Sequence, residues 1–465
     1  MNGMFGPRVF KPSSDDPQAL IQAAIAEFER AIELEPDNAE AHRYLSQAYQ
    51  LAGEPQKAVE AYQTVLALNP EAAWVYAGLG QLYVEQNQLE TATIAFKQAI
   101  ELDPTNAGFY IGLGNIYNQQ QQIDAAITLF QSASEANPTD AWPLRELGNT
   151  YALAGDNDRA LVTFKQAVSL EPDNPGLYAH LGNFYQWNLL QPEEALPYYR
   201  RAIALAPDQG SYYASLAGAL FALGQETEAL EKLDEALQRE PNSSLVQQAA
   251  ADLLLQYKSP ALAQPHYEQA IKIDPLNAYA QLGLARLYQR NGDFANALDH
   301  LRQSLKVAPN QSFQAEANLE LANIYLAQNK PAEGLEQLLP AIEQNPTDPR
   351  LYAAAGNLYH RQGNIEQALT YYRRSTETPP PIAWHYLTLG AFLLEIGRGP
   401  EGLEALQSAV AVDPDSSPVN QRVAELAVQY GQPQLALPYL EKAVTLDPNN
   451  EAAKSLLEDV RSQLN

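Results

Sequence analysis

Thirteen prolines divide this chain at almost constant intervals. Pro36, Pro70, Pro104, Pro138 and Pro172 stand 34 residues apart, and Pro207 follows after 35. Pro241, Pro275 and Pro309 resume the step of 34; Pro346 comes after 37, and Pro380, Pro414 and Pro448 again after 34. A short apolar–polar run precedes many of them, as in Glu-Leu-Glu-Pro36, Glu-Leu-Asp-Pro104 and Thr-Leu-Asp-Pro448. Proline has no N–H and forces the residue before it out of α geometry, so each marks the end of a helical segment. A chain of 465 residues would ordinarily suggest about three domains. Twelve regular intervals replace that expectation with one unit repeated.

Each unit reads as helix, tight turn, helix. In residues 105–138, Tyr110, Leu113, Gly114 and Tyr117 recur at i, i+3, i+4 and i+7, and Ala126, Phe130 and Ala133 form the second stripe. Gly53, Gly155, Gly224, Gly292, Gly363, Gly397 and Gly431, with Asn87 and Asn329, occupy the turn, where left-handed backbone ends a helix. Gly or Ala eight residues into a unit lets the paired helix approach closely.

These features resemble the tetratricopeptide repeat (TPR) family. The second unit carries Leu79, Gly80, Tyr83, Ala92, Phe96, Ala99 and Pro104; the fourth carries Leu147, Gly148, Tyr151, Ala160, Phe164, Ala167 and Pro172. The resemblance implies an all-α fold, an α-solenoid in which antiparallel helix pairs stack as a right-handed TPR superhelix. The expected organisation is a flexible N-terminal segment (1–16), a half-repeat helix (17–36), twelve units (37–448) and a capping helix (449–465). Three departures stand out. The fifth unit has one extra residue near Trp187–Leu190, and the ninth has three extra before its first helix, near Ser312–Gln314. The seventh has Gln247, Ala250 and Ala251 where Tyr, Leu and Gly are usual, and Lys258 in its turn. A bend is expected there, between units 1–6 and 8–12.

Composition narrows the chemistry. Lys and Arg number 29 against 56 Asp and Glu, a net charge of −27, which repels nucleic acid and anionic membranes. Cysteine is absent, excluding thiolate catalysis and Cys-ligated zinc. His42, His180, His266, His300, His360 and His385 fall in separate units and form no metal-binding pair. Gly78-Leu79-Gly80 and Gly112-Leu113-Gly114 lack the third glycine and the preceding strand of a dinucleotide loop. No apolar stretch suits a signal peptide or membrane span, so a cytoplasmic protein with no membrane insertion, no enzyme activity and no cofactor is expected.

In the TPR family, positions two, five, six, nine, twelve and thirteen of a unit face the concave groove. By that register Trp74, Trp142 and Trp384 stand at position two and Trp187 at thirteen. An indole joins large apolar area to one donor, the profile of a binding anchor. Packing on the preceding unit is the competing reading. Position nine carries Asn115, Asn149, Asn183, Asn323 and Asn357, an asparagine ladder similar to that of the O-linked N-acetylglucosamine transferase arm. Asparagine can clamp a peptide backbone without reading its sequence; hydrogen bonding between helices is the alternative. Arg286 and Arg290 in unit 8, with Arg350 and Arg361 in unit 10, form a basic stripe suited to an acidic partner segment, unless local acids pair with them. The two-carboxylate clamp for chaperone tails is not spelled out in any three consecutive units.

The resulting expectation is a scaffold that binds extended segments of one or more partner proteins in the groove, in the manner of complex-assembly factors. A self-assembling oligomer, with the orphan helix completing a neighbour's unit, and a regulatory subunit of a separate enzyme are the alternatives. RNA binding like that of pentatricopeptide repeats is disfavoured by the acidic balance.

Overall fold

The computed structural model describes residues 17–464; the expected N-terminal segment, 1–16, lies outside them. Among the described residues are twenty-six α-helices, one π-helical turn and no strand. Two compact units form, one through Arg239 and one from Glu240. Unit 7 therefore belongs to the second, whereas its irregular sequence suggests a joint between two blocks. Among the described residues no helix is long and apolar enough to cross a membrane.

The helix Pro17–Leu34 covers the start of the stack, as the second half of a repeat would. Ile25 is buried against Leu45 and its neighbours, and Phe28 stacks on Tyr44 with ring centroids 5.5 Å apart. The Tyr49 hydroxyl donates to Glu29 at 2.6 Å. Burial, with that carboxylate beside it, raises the phenol to about 12. At the other end, Leu457 and Val460 of Glu451–Leu464 pack with Ala436 and Leu440, and Ala453 of the same helix is buried. Both terminal helices supply an apolar face that a lone repeat lacks.

Within a unit, the turn reverses the chain through one left-handed residue. At the first, Gly53 (φ 73°) donates to the Gln50 carbonyl at 3.0 Å and Glu54 donates to Tyr49 at 2.9 Å, closing the helix end. All nine turn residues expected from sequence have positive φ. So do Gln121 (59°) and Leu190 (55°), which residue type does not announce. Unit 7 differs: Lys258 takes φ −126° and ψ −95°, and Pro260 starts the next helix. Close approach of the paired helices is sharpest at Gly114, where an added Cβ would lie 2.1 Å from the fully buried Phe130 ring.

A hydrogen bond that the repeat pattern hides joins successive units. The fourth side chain of a unit reaches back to the carbonyl of the preceding boundary proline. Tyr110 donates to Pro104 (3.1 Å), Tyr213 to Pro207 (3.0 Å) and Tyr352 to Pro346 (3.0 Å). His42 Nε2 donates to Pro36 (2.9 Å), and Asn420 Nδ2 donates to Pro414 (3.1 Å). Gln247, which makes unit 7 look degenerate, donates to Pro241 at 3.2 Å. Its amide does the work of the usual phenol.

The insertions are absorbed within helices. The three extra residues of unit 9 do not precede its first helix but lengthen it to seventeen residues, Gln311–Ala327, with Phe313 buried in the added turn. The extra residue of unit 5 converts Phe184–Asn188 to a π-turn, in which Leu189 donates to the Phe184 carbonyl at 3.1 Å.

Candidate functional site

Three recesses open on the first helices, at the register positions that the sequence marks as groove-facing. In the first compact unit, Asn149, His180, Asn183, Trp187 and Asn188 surround about 480 Å³. In the second, Gln248, Asp252, Tyr279, Arg286 and Arg290 line about 630 Å³, and Asn357, His360, Trp384 and Glu395 line about 310 Å³.

The tryptophans divide into two kinds. Trp187 (56% exposed) and Trp384 (51%) present their indoles to these recesses. Trp74, at 36%, meets the Tyr62 ring edge-on, and the Arg43 guanidinium lies 5.6 Å from its centroid. Arg145 lies 3.6 Å above Trp142, partly covering it. Packing and presentation thus both occur, at different positions.

The asparagine ladder divides three ways. Asn115 and Asn323 are exposed and make no side-chain hydrogen bond among the described residues. Asn183 and Asn357 each accept from a tyrosine hydroxyl of the second helix, Tyr199 and Tyr372, both at 2.8 Å. Their Nδ2 groups make no bond among the described residues. Asn149 is engaged at both ends: Nδ2 donates to Glu146 (3.1 Å) and Oδ1 accepts from His180 Nε2 (2.8 Å). Burial, aided by the nearby Arg145 charge, lowers the His180 pKa and keeps the imidazole neutral. In unit 7 the ninth residue is Asp252, which accepts from the Tyr267 hydroxyl and from Gln248 Nε2. Crowding raises its carboxyl although water reaches it, and burial drives the Tyr199, Tyr267 and Tyr372 phenols well above their ordinary value. The signal for them in the sequence is tyrosine at a second-helix register where units 3, 4 and 9 have Phe130, Phe164 and Leu338.

The basic stripe is largely paired. Arg286 donates to Glu316 (2.6 Å) and Glu320 (2.7 Å), and those bonds outweigh burial and hold its pKa above the ordinary value. Arg350 is held by Asp348 through Nη2 at 2.6 Å and Nε at 3.0 Å. Arg361 Nε donates to Asn329 at 2.9 Å, and His360 pairs with Glu395 at 3.0 Å. Arg290 is exposed and has no ion pair among the described residues. The six histidines each have a hydrogen-bond partner in the chain.

Sequence models of known families match most of the length. A tetratricopeptide repeat-like domain matches residues 273–383, and TPR repeat models match 80–120, 114–155 and 148–187. Further tetratricopeptide repeat models match 27–60, 50–94, 191–253 and 418–450. The protein CTR9 homolog of Arabidopsis thaliana is 27% identical over 122 residues, which are 25% of this chain and 11% of that relative. The crystal structure of yeast Tom70 aligns over 92% of this chain and 96% of its own, at 15% identity and a TM-score of 0.50. A chain of the crystal structure of the APC/C hetero-tetramer Cut9-Hcn1 aligns over 95% of this chain and 94% of its own, at 14% identity and a TM-score of 0.39.

Proposed function

Because this chain belongs to the tetratricopeptide repeat family, we propose that it is a non-catalytic scaffold whose first-helix face holds extended segments of partner proteins. One observation carries the reading. The two most exposed indoles, Trp187 and Trp384, each share a recess with a ninth-position asparagine whose Nδ2 has no partner among the described residues. An amide N–H can donate to any peptide carbonyl, and an indole gives an adjacent side chain a broad apolar surface. Together they suit a backbone held in register and an apolar residue anchored beside it. The proposed setting is the cytoplasm, and assembly of a larger complex is the proposed use.

An acidic segment at units 8 to 10 would meet Arg290 and Arg361 rather than four unpaired cations, so that part of the reading narrows to two residues.

Cross-linking tests the assignment. A photoreactive amino acid replaces Trp187 or Trp384, and a control replaces Val162, an exposed residue of a second helix. Peptides captured at 187 and 384 but not at 162 are the expected result. Capture through 162 alone would place binding on another face. Trp187→Ala should weaken capture about tenfold or more, as truncating an anchor does, with little loss of thermal stability because the ring is half exposed. Asn323→Ala is a cleaner ladder variant than Asn183→Ala, since Asn183 also serves the buried Tyr199.

A further inference from the structure

Among the described residues the turn of unit 5 is the one entered through a π-turn. The inserted residue of unit 5 makes the sole π-turn, and Leu190 after it takes φ 55°, a left-handed conformation unfavourable for a branched side chain. Trp187 and Leu190 are both left largely exposed. Single π-turns and strained backbone gather at functional sites, where surrounding structure holds them. This one contributes Phe184, Trp187 and Asn188 to the wall of the 480 Å³ recess.

The recess has a definite chemical character. None of its lining residues carries a formal charge: aromatic and aliphatic walls alternate with the side chains of Asn183, His180 and Asn188. Asn183 Nδ2 and the Asn188 amide make no hydrogen bond among the described residues. His180, donating through Nε2 to Asn149, is fixed in the tautomer whose Nδ1 is an acceptor.

We propose that this π-turn recess is a side-chain pocket for an uncharged aromatic residue, with tyrosine the best occupant, presented by an extended partner segment. The proposal rests on the groove reading above and adds to it the residue read. A lysine, arginine or carboxylate would be desolvated with no counter-charge in the wall. An aliphatic side chain or phenylalanine would bury polar groups of the wall without pairing them. A phenol both donates and accepts, and its ring can pack on Phe164 and Trp187 by edge or offset face. The space is that of a small ligand site, enough for one ring and ordered water.

Tryptophan-selective ¹⁵N labelling of the full chain yields four indole N–H signals, and the Trp187→Phe spectrum identifies that of Trp187. The probes are end-blocked Gly-Gly-X-Gly-Gly peptides with X as Tyr, Phe, Leu, Lys or Glu. The tyrosine peptide should shift the Trp187 signal saturably, about fivefold more tightly than the phenylalanine peptide, the worth of one net hydrogen bond. The lysine and glutamate peptides should leave the signal in place. Deleting Leu189, which restores the 34-residue spacing, should abolish the shift. His180→Phe should equalise the tyrosine and phenylalanine peptides, and it decides the question if the deletion unfolds the chain. Equal shifts by all five peptides, an unmoved Trp187 signal, or an undiminished preference in the folded deletion variant or in His180→Phe would overturn the pocket. In those cases cross-linking at 187 and 384 still judges the groove on its own terms.

Discussion

The two compact units carry their charge in opposite places. Through Arg239 the chain has 31 acids and 13 bases, a net −18; from Glu240 it has 25 and 16, a net −9. Yet the more acidic half has the less charged groove register. At the groove register of units 1–6 the ionised residues are Glu40, Arg43, Glu85, Arg145 and Glu146, of which Arg43 pairs with Glu40 and Arg145 with Glu146. The same register in units 7–12 holds five acids and five arginines, among them Asp252, Arg286, Glu316, Glu395 and Arg422. Arg286 with Glu316 and Glu320, and Arg422 with Glu425, neutralise one another across or along helices. The first half keeps most of its acids off that register; the second places more charges there and pairs most of them. Net charge therefore says little about what either face will hold. On the groove reading proposed above, the first would favour uncharged segments, and the second would exchange an internal ion pair for one with a ligand.

The largest effect expected from breaking this contrast lies in the packing beneath it. The first half sets Gly114 against Phe130, whereas units 8 and 9 set Ala285 with Leu301 and Ala322 with Leu338 in shared cores. Gly114→Ala should destabilise the chain by about 2 kcal/mol through overpacking. Adding Phe130→Leu should recover part of that loss, measured by denaturant unfolding. A double variant no better than the single would show that the two solutions are not interchangeable. Next in size, Arg286→Ala should cost about 1 kcal/mol, a modest figure because the pair is partly exposed and screened. Hydrogen exchange should show the loss in units 8 and 9, while Arg290→Ala leaves protection unchanged.

The smallest effect is a difference in acid response. Burial lowers the pKa of His266, His300 and His385 in the second half, and of His180 in the first. A depressed imidazole pKa means that the unfolded chain takes up protons first. The histidine contribution is therefore intact above the ordinary value of about 6.5 and falls away as pH drops below it. The second half should lose more protection between pH 7.5 and 6, read by exchange at matched intrinsic rates. The raised Asp252 carboxyl opposes this at lower pH, so equal loss in both halves across the window would refute the assignment.

Spacing alone made the fold legible, because proline, turn glycine and the small residue at position eight each answer a backbone demand. Side-chain partnerships were less so. Gln247 looked like decay because its amide shares no shape with tyrosine, although it reaches the same kind of carbonyl. The ladder at position nine was visible, but its division into free, half-engaged and engaged members depended on partners outside the pattern: Tyr199 and Tyr372 for Asn183 and Asn357, and Glu146 with His180 for Asn149. Arg286 and Arg290 line one recess; the acids that hold Arg286, thirty and thirty-four residues away, were beyond any local pattern. Unit 5's extra residue was visible as a count, but only backbone geometry turned it into a recess.

The joint between units has a consequence for how such a chain can change over time. Phenol, imidazole and carboxamide all close it on the same proline carbonyl, so the fastening specifies a reach and a donor rather than a letter. A unit can drift until its ancestry is hard to read while the seam beside it stays shut.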